Sequence, residues 1–113
     1  MERTEIIGNI GREGEQKEVN GRWVLNFSVA VNHSYIDNEG QKIESTNWYN
    51  CTKWSNKKIG VTPYLTKGTK VFVSGTLKPD HYRDAEGGVV IDRKLIARGI
   101  DLVSSSKNDQ DEK

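Results

Sequence analysis

Four aromatic residues, Tyr35, Trp48, Trp54 and Tyr82, stand in stretches that are otherwise polar and charged. A folding core would set such rings among Val, Ile and Leu; these have Asn, Ser, Thr, Lys, Asp and Glu as neighbours. Flat rings beside cations suit one task well. They stack on unpaired bases while Lys and Arg hold the phosphates, each stacked base contributing ~1–3 kcal/mol whatever its identity. Each ring also has a structural reading. A strand Trp commonly packs in a core or against a neighbouring subunit, and a Tyr leading into a loop often covers a barrel edge. Two Trp on one polar strand face favour the binding reading. Trp23, at a strand start after Gly21-Arg22, reads as structural.

The cations that would accompany these rings lie mainly in the second half of the chain. Lys53, Lys67, Lys78 and Arg83 are the candidate phosphate contacts, with Lys57, Lys58 and Arg93 behind them. Charge alone does not announce an anionic partner: 17 basic residues face 16 acidic ones, a net charge of +1. Many acids fall early, at Glu2, Glu5, Glu13, Glu15 and Glu18.

Catalytic signatures are missing from the sequence. Its two histidines, His33 and His81, have no metal-ligand spacing to each other or to Cys51. There is no Gly-rich phosphate loop, nucleophile elbow or paired-carboxylate motif. Gly8-Asn9-Ile10-Gly11 is too short for a dinucleotide fingerprint and fits a strand end followed by a turn. No enzyme activity, cofactor or metal is expected. Cys51, the single cysteine, cannot form an internal disulfide, which suits a reducing compartment, and reads as a small inward-facing residue.

The elements that must position these groups are strands. Leu25, Phe27, Val29 and Val31 alternate with Asn26, Ser28, Ala30 and Asn32, the pattern of a half-buried strand. Thr46, Trp48, Asn50, Thr52 and Trp54 share one face of a second such segment, with Asn47, Tyr49, Cys51 and Lys53 on the other. At ~3.3 Å per residue, Trp48 and Trp54 stand about 20 Å apart. Val71 and Val73 alternate with Phe72 and Ser74, so Phe72 faces outward for a subunit contact or a further base. A first strand spans residues 4–10 and ends at Gly11; a last spans 89–100. Val19-Asn20-Gly21 signals a tight hairpin. Asp37-Asn38-Glu39-Gly40 and Asp84-Ala85-Glu86-Gly87-Gly88 are longer polar tips, expected to be mobile. The helical candidate, residues 57–66, is interrupted by Gly60 and Pro63; Pro63 could open a very short helix capped by Thr62.

With 113 residues the chain should form one domain, residues 1–103, followed by a polar, disordered tail at 104–113 that contains no apolar residue. No apolar run approaches the ~20 residues of a membrane helix, and no basic-then-apolar export signal opens the chain. Five strands with one short helix between the third and fourth predict an all-β OB-fold, a five-stranded Greek-key barrel. Barrel closure would gather the four aromatics around one face.

The ordered set Gly8-Asn9-Ile10-Gly11, Asn26-Phe27-Ser28-Val29-Ala30, Thr46-Asn47-Trp48-Tyr49, Tyr64-Leu65-Thr66-Lys67-Gly68 and Val71-Phe72-Val73-Ser74-Gly75-Thr76-Leu77 resembles the bacterial single-stranded DNA-binding protein family over residues 4–100. The resemblance implies an OB barrel, usually a homotetramer, wrapping single-stranded DNA in the cytoplasm at the nucleoid. Family stacking positions fall on Tyr35, Trp48, Trp54 and Tyr82, with Tyr in place of the usual Trp at two of them and Trp54 where Phe is usual. Basic positions matching Lys67 and Lys78 are kept, whereas Asn50, Asn56 and Asp80 stand where the family often has Arg or Lys. The family's acidic tip ending in Pro-Phe, which recruits replication and repair enzymes, has no counterpart in Asn108-Asp109-Gln110-Asp111-Glu112-Lys113, so recruitment through that tip is not expected. The expected function is sequence-independent binding and protection of single-stranded DNA in replication, recombination or repair. An RNA-binding OB module and a protein-interaction OB subunit are the alternatives.

Overall fold

The computed structural model describes residues 2–103, with Asp80, His81, Tyr82 and Val90 described at the backbone alone. The expected tail at 104–113 lies outside the described residues. Five strands follow in order: β1 (Thr4–Val19), β2 (Arg22–Ile36), β3 (Lys42–Ser55), β4 (Lys70–Arg83) and β5 (Val89–Leu102), with one 3-10 turn at Thr62–Tyr64. They close into a barrel in the order β1-β2-β3-β5-β4. β1–β2, β2–β3, β4–β5 and β1–β4 pair antiparallel; β3 and β5 pair parallel. This is the predicted OB-fold.

Alternation dictates the core. Leu25, Phe27 and Val29 of β2, Cys51 of β3, Val71 and Val73 of β4 and Leu95 of β5 are all at most 1% exposed and meet Ile6, Ile10, Ile59 and Leu65 inside the barrel. Each such aliphatic or aromatic side chain contributes ~1.5–3 kcal/mol by leaving water. The β1–β2 hairpin turns at Asn20 and Gly21, whose φ values of 51° and 81° are those of the tight turn that the Asn-Gly pair predicts.

Three sequence expectations are corrected. The first strand does not stop at Gly11 but continues to Val19, with register shifts against β2 between Ile10 and Arg12 and between Arg12 and Glu15. The shift removes an N–H from the ladder, and the buried Ser28 hydroxyl takes it up, accepting from Arg12 N at 2.8 Å. Glycine at position 11 thus marks a bend in a continuing strand. The helical candidate at 57–66 shrinks to a single 3-10 turn with Pro63 near its start, and Thr62 lies inside that turn instead of capping it. Its hydroxyl donates to Ile59 O at 2.9 Å. Finally, Tyr35 and Tyr82, whose sequence settings read as strand ends leading into polar loops, each lie within a strand, one residue from its end.

The connection between β3 and β4 plugs one end of the barrel. Gln16 clamps it by donating to Ile59 O at 3.1 Å and accepting from Ile59 N at 2.9 Å. Gly14 N donates to Leu65 O at 2.9 Å, which seats Leu65 in the core. At the other end the hairpins β2–β3 and β4–β5 run on past the core. Their tips share one construction. Asp37 Oδ1 accepts from Glu39 N and Gln41 N, and Asp84 Oδ1 accepts from Glu86 N and Gly88 N, at 2.7–2.9 Å. Among the described residues no helix is long and apolar enough to cross a membrane.

Candidate nucleic-acid interface

β3 carries the two exposed tryptophans of the candidate interface. Cys51 points into the core, so Trp48, Asn50, Thr52 and Trp54 must point out. Trp48 and Trp54 are 53% and 44% exposed. Rings so exposed are open to stacking by a planar ligand. Trp48 pairs with Ala30 on β2, and its ring reaches over the bend at Gly11, where any Cβ would strike it. Trp54 pairs with Val24, and the Arg22 guanidinium stands 5.3 Å from the centre of its ring. That contact is worth ~0.5–1 kcal/mol at an exposed site and leaves the opposite ring face for a planar ligand.

Between the two rings lies a polar floor. Thr52 Oγ1 donates to Asn26 Oδ1 at 2.8 Å, and Asn50 Nδ2 donates to Asp92 Oδ1 at 2.9 Å. The parallel register sets Lys94 beside Asn50, and the antiparallel register sets Lys78 beside Lys94. Both lysines are exposed, so two cations border the floor on the side of β5 and β4.

The remaining predicted residues are distributed as follows. Tyr35 is 57% exposed near the tip of β2–β3, opposite Ile43. Its strand parity is that of Val29 and Phe27, the reverse of Trp48's. It therefore stands on the extension of the core-lining face, where residues 32–36 are all exposed. Tyr82 pairs at the backbone with Val90; its side chain lies outside the described atoms. Lys67 is exposed in the loop whose Gly68 N donates to Ile10 O and whose Thr69 O accepts from Ile10 N, both at 2.8 Å, one residue from the glycine beneath Trp48. Lys53 has the opposite parity to Trp54, and its ammonium donates to Arg98 O at 2.6 Å. Arg83 donates to Gly87 O at 3.2 Å within its own hairpin tip. Lys58 lies 5.8 Å from the Trp23 ring centre, Lys57 is exposed, and Arg93 pairs with Tyr49 on the inner parity. The structure thus gathers Trp48, Trp54 and Lys78 on one surface and adds Arg22, Asp92 and Lys94, which sequence reasoning missed. Asp92 and Lys94 alternate visibly with Arg93 and Leu95, but nothing in the sequence announces that β5 lies parallel to β3.

Residues 1–103 match the Single-strand binding protein family. The chain belongs to the Single-strand binding protein family. It is 35% identical over 83 residues to the single-stranded DNA-binding protein of Neisseria meningitidis serogroup A, covering 73% of this chain and 48% of the relative. The chain spans about half the length of several curated relatives that it matches. Two solved structures share the fold. One is a Plasmodium falciparum SSB complex with ssDNA, 22% identical, with TM-score 0.75 over 92% of this chain and 96% of the other. The second is a small single-stranded DNA-binding protein from Streptomyces coelicolor, 20% identical, with TM-score 0.72 over 89% and 93%.

Proposed function

We propose that this member of the family binds single-stranded DNA with little sequence preference and, without catalysing a reaction, shields exposed strands during replication, recombination or repair at the nucleoid. The observation that carries this reading is the pair of exposed Trp rings on one face of β3, joined by a hydrogen-bonded polar floor and bordered by Lys78 and Lys94. Bases stack on Trp48 and Trp54; Tyr35 and Tyr82 extend the stacking along the two hairpins. Lys67, Lys78 and Lys94 take phosphates, with Lys53 and Arg83 as further contacts once their present carbonyl partners are exchanged. We also propose assembly as a homotetramer. Ile7, 52% exposed, stands opposite Phe72 on the outer surface of β1 and β4, an apolar pair suited to a second copy of the chain.

Titration with oligo-dT, followed by intrinsic fluorescence and by mass in solution, tests both parts. Trp emission should fall strongly on binding, and the mass should correspond to four chains. Trp54→Ala should weaken binding by ~1–3 kcal/mol. Unchanged emission at saturating oligonucleotide would sink the stacking reading, and a matched RNA strand binding more tightly would reassign the ligand.

A further inference from the structure

We propose that Asp92, held in place by Asn50, reads the edges of bases lying between Trp48 and Trp54 and favours strands containing guanine over strands of thymine alone. The inference rests on the single-strand reading above and adds to it a base preference that stacking alone does not give.

The rings stand about 20 Å apart at ~3.3 Å per residue, so the floor between them meets bases as well as the rings do. The donors and acceptors of that floor are largely committed in pairs. Thr52 is tied to Asn26, the Ser28 hydroxyl accepts from Arg12 N, and Asn50 donates its amide to Asp92. Asp92 brings an acceptor-only group with about four lone-pair sites, of which the Asn50 bond uses one. The same bond fixes the carboxylate's direction. A phosphate is repelled from it, whereas Lys94, two residues along the same face, and Lys78 beside Lys94 attract one. The sugar-phosphate chain accordingly follows the lysines and leaves base edges over Asp92.

Bases differ in what they offer a fixed carboxylate. Guanine presents two adjacent N–H donors, the ring N–H and the 2-amino group, which match the two carboxylate oxygens. Cytosine and adenine each present one amino group. Thymine presents a single N–H between two carbonyl oxygens that face the carboxylate unfavourably. A carboxylate accepting from a base amine is an established mode of base reading, and a paired edge contact discriminates by about fivefold at the low end of its range. That end suits an exposed floor.

The test compares the full chain on three strands of one length: oligo-dT, the same strand with every third thymine replaced by guanine, and that strand with hypoxanthine, which lacks the 2-amino group. Isolated guanines avoid strand self-association. The guanine strand should bind about fivefold more tightly than oligo-dT, with hypoxanthine between them. Asp92→Asn should bring the ratio near one, and Asn50→Ala, which frees the carboxylate to rotate, should lower it part of the way. Equal affinities in a wild-type protein whose emission oligo-dT still quenches would overturn this inference alone. So would an Asp92→Asn protein that keeps the ratio while binding every strand more tightly, the mark of simple phosphate repulsion. A protein that binds none of the strands overturns the single-strand reading together with it.

Discussion

Cys51 shows how far the environment of one residue determines its chemistry. The side chain is 1% exposed among Phe27, Leu95 and their neighbours, and burial pushes its thiol from the ordinary 9.0 up to about 12. The thiolate is the reactive form, so the folded protein should resist iodoacetamide at pH 8 and react promptly once denatured. Rapid labelling under native conditions would show that the barrel opens there. The sign of the pH effect follows from the same shift. Between about pH 9 and 12 the folded state keeps the proton that the unfolded chain has begun to release, so stability is full below 9 and declines as pH rises through that window. Wild-type melting temperature should therefore fall more steeply from pH 9 to 11 than that of Cys51→Ala; equal slopes would refute the assignment. Alternation with Asn50 and Thr52 makes the inward placement of Cys51 legible in the sequence. The role of Asp92 is not legible there, because its partner Asn50 lies 42 positions away across a parallel pairing.

At the scale of elements, two strand glycines make room for different things. A Cβ at Gly75 would collide with the backbone oxygen of Ile96, which cannot move without disturbing β5; one at Gly11 would collide with the outer end of the Trp48 ring, which can swing away. Gly75→Ala should cost ~1–3 kcal/mol of stability and leave the oligo-dT affinity of the folded protein near that of the parent. Gly11→Ala should cost less stability and more affinity, by up to ~1–3 kcal/mol of lost stacking. Denaturant midpoints together with fluorescence titrations separate the two, and the reverse pattern would contradict this account of Trp48. The same glycines show where periodicity misleads. Gly11 reads as a strand end because glycine weakens strands, yet β1 runs on to Val19 since Ser28 and the Trp48 ring stabilise the bend from outside the local sequence. The succession of five strand segments along the chain, the Asn20-Gly21 turn and the inward stripe of β2 are all local patterns and can be read directly. The extent of the helical turn at Thr62–Tyr64 depends instead on how Gln16 and Leu65 hold the connection to the barrel.

For the whole molecule, charge balance limits how much of the affinity the phosphates can supply. With net charge +1, the lysines proposed above to take phosphates beside the Trp surface are three, Lys67, Lys78 and Lys94. Three neutralised phosphates imply a slope of about −2 for log affinity against log salt on single strands. A slope steeper than about −4 would show that cations elsewhere join the path of the strand. The topology carries one more consequence. β2–β3 is paired continuously from Trp23 with Ser55 to Ile36 with Lys42, and β4–β5 is nearly as continuous, but the parallel seam between them runs only from Tyr49 with Arg93 to Thr52 with Ile96. Each hairpin can zip locally, whereas the seam waits for ends far apart in the chain to meet, the slow step in reaching such a topology. The floor that joins Asn50 to Asp92 should therefore be finished late in folding, and a strand bound across it, as proposed, would brace the least continuous join in the barrel.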